Sequence, residues 1–135
     1  MNRRESREQA FLFVFESNFS DYSIEDIIEN AQMSRDIEIS DFAKNIFNGV
    51  NNNKEKIDML IEENSRSWKK DRLSKVSVSL LRMAIYEMMF EEEIPDSVSI
   101  NEAVELAKKY STKEDASFIN GVLGSISKKV ATANE

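Results

Sequence analysis

Cysteine and histidine are both absent from this chain of 135 residues. Without thiols there are no disulfides, zinc fingers, iron–sulfur clusters or cysteine nucleophiles. Without imidazole the commonest general base and the usual nitrogen ligand for metals are gone. Glycine and proline are scarce, at 3 and 1 residues. A β-rich fold or a phosphate-cradling glycine loop would need more turn formers. No apolar run approaches the roughly 20 residues of a membrane span. The arginine-containing N-terminus lacks the apolar core and cleavage site of a signal peptide. Apolar residues make up 41% of the chain, enough to build one core without covalent staples. The expectation is a cytoplasmic, soluble, all-α protein, a single domain over 1–135.

Positive charge is also in deficit. Eighteen Lys and Arg face 25 Asp and Glu, for a net charge of −7. The overall field therefore opposes nonspecific nucleic-acid binding, and any such role must come from a local basic patch.

Helical periodicity recurs from end to end. A first helix is predicted from Arg3 to Asn18, with Ala10, Phe11, Val14 and Phe15 on one face; Leu12 and Phe13 imply cover on a second side. Ser23 reads as a cap before the stripe Ile24, Ile27, Ile28 and Ala31, and Met33 to Ile39 reads as a loop. Ser40 caps a third helix carrying Phe42, Ile46, Phe47 and Val50. Asn51, Asn52 and Asn53 break or bend it, and helicity resumes with Ile57, Leu60 and Ile61. From Val76 to Phe90 the chain is apolar on nearly every side, which marks a buried central helix. Pro95 helps to end it. Ser99 and Glu102 have the spacing of a capping box for the next helix. Thr112 caps the last one, in which Gly121 and Gly124 imply close approach of another backbone. The expected architecture is a compact bundle of six to seven helices in two packed helical subdomains around that central helix. The halves are 1–64 and 65–130, with 131–135 a frayed tail.

Catalysis has little to work with. Glu91, Glu92 and Glu93 are adjacent and point in different directions, which suits a solvated helix end. No nucleophile–base pairing stands out, and a dimetal carboxylate bundle would need histidines. No catalytic residue, metal ligand or cofactor is assigned.

Two basic segments break the acidic background. Arg3, Arg4 and Arg7 open the first helix, with Arg3 and Arg7 on one face. Arginine forks suit phosphates and stack on bases, so three at a helix end form a candidate RNA clamp. The plainer reading is a solubilised helix end offset by Glu5 and Glu8. On either reading these side chains are expected to be exposed and to add little to packing. The second segment is Arg66, Lys69, Lys70, Arg72 and Lys75 around Trp68. There Trp68 reads more readily as a helix–helix anchor than as a nucleic-acid contact.

Three segments add a resemblance. Leu80-Leu81-Arg82-Met83-Ala84-Ile85-Tyr86-Glu87 is similar to the central-helix signature of the NusB family of transcription antitermination factors. The stretch from Ser99 to Tyr110 resembles that family's next helix, and Phe118-Ile119-Asn120-Gly121-Val122-Leu123 its C-terminal signature. Arg3, Arg4, Arg7, Glu8 and Ala10 resemble its arginine-rich motif, here broken by Glu5 and Ser6.

The resemblance implies an RNA-binding adaptor, not an enzyme. Its RNA would be the boxA element of ribosomal RNA leader transcripts, and its protein partner the ribosomal protein NusE. That complex would join the RNA polymerase elongation complex and suppress premature termination. Carried over by motif position, Arg3, Arg4 and Arg7 are candidate RNA contacts, as are Glu114, Asp115 and Phe118 at the last interhelical turn. The same fold fronts certain ribosomal RNA cytosine methyltransferases, but 135 residues leave no room for a methyl-donor domain. The rival reading is a helical protein–protein module without RNA binding. Monomer and homodimer both remain open, and a dimer through the arginine face would occlude the RNA site.

Overall fold

Short polar side chains fix where most helices begin. The computed structural model describes residues 1–18, 23–35, 38–65 and 73–133. It contains α1 (Arg3–Ser17), α2 (Ile24–Arg35), α3 (Asp41–Asn52), α4 (Lys54–Asn64), α5 (Lys75–Phe90), α6 (Asp96–Tyr110) and α7 (Lys113–Ala133). No strand occurs among the described residues. The all-α expectation is met.

The side chains of Asn2, Ser23, Ser40, Ser74 and Thr112 each accept the backbone N–H three residues on, at 2.8–3.1 Å. Each bond satisfies one of the donors a helix start leaves open. Gln9 of α1 also grips the approach to α3. Its amide donates to the Glu38 carbonyl at 2.8 Å and accepts from the Ser40 backbone at 3.1 Å. Asn53 marks the asparagine break, donating from both backbone and side chain to the Gly49 carbonyl at 3.1 and 2.8 Å.

α5 is the axis of the molecule. It packs against α1, α3, α4, α6 and α7, while α2 rests on α1. Val78, Leu80, Leu81, Met83, Ala84 and Ile85 are all buried. Phe11, Phe13 and Val14 from α1, Ile46 and Phe47 from α3, Ile57 and Ile61 from α4, and Ile119, Leu123 and Ile126 from α7 complete the core.

Several sequence expectations need correction. Ser99 is not a cap: α6 starts earlier, at Asp96, with Pro95 in extended backbone at its N-cap. Ser99 is buried inside α6 and its hydroxyl donates to Glu87 at 3.3 Å. Leu12 is exposed, so only Phe13 supplies the second covered side of α1. α2 runs on to Arg35, into the stretch read as loop, and α7 reaches Ala133, into the stretch read as a tail. Residues 66–72, with Arg66, Trp68, Lys69, Lys70 and Arg72, lie outside the described residues, as do 134–135.

The glycines show why spacing misled. Ile119, Val122, Leu123 and Ile126 form the buried stripe of α7. Gly121, two residues past Ile119, is turned roughly 200° from it and faces outward. A Cβ there, or at Gly124, would meet open space. Gly49 is the crowded position, because a Cβ on it would overlap the edge of the Tyr86 ring, 2.0 Å from Cε1. That ring also packs against Phe90, with centroids 5.2 Å apart. Gly49→Ala is therefore expected to destabilise the protein by about 1–3 kcal/mol through overpacking. Gly121→Ala should stabilise it by up to about 1 kcal/mol through helix propensity alone. Thermal melts of the two variants give the comparison, and a lower Tm for Gly121→Ala would contradict the outward placement.

Candidate nucleic-acid interface

Three arginines enter α1 within five residues, and the structure gives them three different environments. Arg3 is exposed, with its guanidinium carbon 4.2 Å from the centre of the Phe42 ring on α3. Such cation–π contacts contribute about 0.5–1 kcal/mol at exposed sites and hold a flexible side chain in place. Arg4 lies over α6. Its Nε and Nη2 donate to the Glu102 carboxylate at 3.1–3.4 Å, leaving the side chain 74% exposed and Glu102 only 16%. Its bonds to the Glu102 carboxylate raise the Arg4 pKa above its ordinary value, so this cation is permanent.

Arg7 departs from expectation. It is 4% exposed, and its Nε and Nη2 donate to Glu87 of α5 at 2.8–3.1 Å. Glu87 is 2% exposed and also accepts from Ser99. The reason is one of register: the face that aims Arg3 at Phe42 turns Arg7, one turn on, toward α5. Arg7 also lies 5.4 Å from the Phe42 ring. It is a packed, ion-paired core residue, not a free helix-end cation.

The α1–α6 seam continues the alternation of charge. Glu8 accepts from Lys109 Nζ at 2.6 Å and from the Tyr110 hydroxyl at 3.0 Å. Phe11 packs on Tyr110, with ring centres 5.0 Å apart. The bond from Lys109, offset in part by burial and aided by Tyr110, holds the Glu8 carboxyl below its usual range. A lowered folded-state pKa makes the tie stabilising above the ordinary carboxylate range, and it is lost as pH falls through the folded value.

The α7 candidates sit apart from the arginines. Glu114 is exposed in the first turn of α7, where its charge also suits the helix dipole. Asp115 accepts hydroxyl bonds from Ser74, at 3.1 Å, and from Ser111, which fasten the α5 start to the α6–α7 turn. Phe118 is half-buried against the core. Between α6 and α7 lies an open groove of about 640 Å³, lined in part by Asn101, Lys108, Lys113 and Asn120.

The family model for NusB matches residues 4–128. The chain belongs to the NusB family. A transcription antitermination protein NusB of Clostridium botulinum (strain Kyoto / Type A2) is 45% identical, across 92% of this chain and 98% of that protein. A solved T. maritima NusB superposes with a TM-score of 0.84 at 35% identity, covering 95% of this chain and 92% of that one. A solved complex of antitermination factors NusB and NusE with double-stranded RNA gives a TM-score of 0.83 at 26% identity, covering 94% and 96% of the two chains.

Within this NusB-family fold, sequence reasoning missed Phe42 as the platform for two arginines, and Glu87 and Glu102 as their acids. A signal for Glu87 existed: a carboxylate inside an otherwise apolar helix demands a buried cation. Arg82, the other buried charge of α5, obeys the same rule. It forks onto Asp58 of α4 at 2.9 and 3.0 Å, and Asn18 accepts from it at 3.2 Å.

Arg7→Ala should accordingly cost about 3–5 kcal/mol of stability, because it leaves the buried Glu87 charge without its cation. Arg4→Ala, an exposed-pair change, should leave the unfolding midpoint close to that of the wild type. Urea titrations of both variants test the split, and equal midpoints would show that Arg7 is not a structural cation.

Proposed function

We propose that this chain is an RNA-binding antitermination adaptor that binds boxA RNA together with the ribosomal protein NusE and supports processive elongation by RNA polymerase. Membership of the NusB family, with a relative 45% identical along nearly the whole chain, carries this reading. A neighbouring structure that holds NusB, NusE and RNA together supports both partners. The reading is of a binding protein without catalytic chemistry, acting where transcription occurs, in the cytoplasm. Among the described residues no helix is long and apolar enough to cross a membrane.

Roles follow from environment. Arg3 and Arg4, exposed at the start of α1, are the phosphate or base contacts. Arg7 acts indirectly, by locking α1 against α5 and placing the other two. Glu114 accepts hydrogen bonds from base edges and Phe118 offers a ring edge for stacking, while Asp115 holds the turn that presents them. Single-stranded RNA would be read by such stacking and edge contacts over a small surface. On a chain where 18 Lys and Arg face 25 Asp and Glu, unaided binding is weak, and a basic partner supplies the missing counter-charge.

A gel shift with a boxA-like RNA, with and without NusE, is the direct test. Affinity should rise when NusE is added and fall for the Arg3→Ala/Arg4→Ala double variant. With at most two phosphates neutralised by this chain, log K should decline with log salt at a slope no steeper than about −1.4, about 0.7 for each phosphate. No RNA binding under any of these conditions would leave a protein–protein module in its place.

A further inference from the structure

Apart from Arg3, which is stacked on Phe42, the exposed cations of α1 and α6 each lie against a carboxylate. Arg4 lies on Glu102 and Lys109 lies on Glu8, while Lys108 pairs with Glu105 at 3.4 Å. Glu105 also acts on Arg4 at longer range. Stability does not explain the Arg4 pair, since exposed ion pairs add little to folding. Its geometry is also unequal. The Glu102 carboxylate is seated against the protein, and the guanidinium is laid over it with its outer edge in water.

We propose that Glu102 is a built-in counter-ion that sets RNA affinity through Arg4. The inference rests on the reading of Arg4 as an RNA contact. Nε and one Nη2 hydrogen are directed at Glu102, so a phosphate approaching Arg4 meets a cation already neutralised and a fixed anion behind it. Exchanging carboxylate for phosphate gains little, because both offer oxygen acceptors to the same fork. Glu102 therefore keeps the free chain a weak RNA binder without altering its fold.

Removing the charge should release the arginine. Repulsion between Glu102 and a phosphate some 5–6 Å away, in a medium between water and protein surface, corresponds to roughly three- to tenfold in affinity. Glu102→Gln and Glu102→Ala should both bind a boxA-like RNA tighter by about that factor, with unchanged melting curves. Alanine matters because the glutamine amide adds a donor of its own. The salt slope should steepen by about 0.7 as Arg4 becomes a fully effective phosphate contact. The gain should vanish in an Arg4→Ala background, and Glu62→Gln, which removes an equal charge from an exposed position on α4, should not reproduce it. If both Glu102 variants bind no tighter than wild type while Arg4→Ala still weakens binding, the counter-ion role is wrong and the RNA reading stands. Weaker binding by Glu102→Ala alone would make Glu102 a positioning residue and overturn the proposal in favour of that role. If neither Arg4→Ala nor Arg3→Ala/Arg4→Ala changes binding, both the proposal and its foundation fall.

Discussion

A carboxylate and a guanidinium meet out of water at the centre of this protein, and the placement of its surface follows from that contact. Glu87 on α5 takes Arg7 from α1 and Ser99 from α6, so one buried group joins three helices. A helix apolar on nearly every side has little to define its rotation, since many packings bury similar area. Charges remove that freedom. Glu87 must face Arg7, and Arg82, five residues earlier, must face Asp58 on α4. Only one rotation and one axial position of α5 satisfy both. Taking four charged groups from water is costly, and such pairs rarely add net stability over apolar substitutes. What they supply here is register.

That register was only partly legible in the sequence. The helices could be read because period and cap chemistry are local: Ser23, Ser40 and Thr112 cap where their neighbours' pattern says they should. Pairings across the chain were not legible. Arg7 finds its acid 80 positions away, and no local property of Arg3, Arg4 and Arg7 separates the buried one from the exposed two. Ser99 was misread for a related reason. Its spacing to Glu102 fits a local cap, but a hydrogen bond to a buried carboxylate on α5 determined its place. Gly121 and Gly49 show the same limit, since a glycine's neighbours in space are set by helix rotation and Tyr86 is distant from Gly49 in the chain.

The family resemblance supplied what periodicity lacked. Three segments identified the family. It transferred the arginine motif as a unit, however, and the structure divides that unit. A motif match gives residue types in order. Burial then determines whether each residue can touch a ligand or holds another that does.

Phe42 connects the buried and exposed parts of the site. Its ring lies near both Arg3 and Arg7, at 4.2 and 5.4 Å. Arg7 cannot move without breaking its bonds to Glu87, and Phe42 packs against the core beneath. Arg3 is therefore stacked on a support whose other neighbour is fixed in the interior. An arginine free in solution carries about 2 kcal/mol of rotamer entropy, part of which is lost on binding. A side chain already held by an aromatic face loses less when a ligand arrives. Burial of one arginine thus serves the exposure of another: the motif loses a cation to the core, and the cation left outside is better ordered for a phosphate or a base.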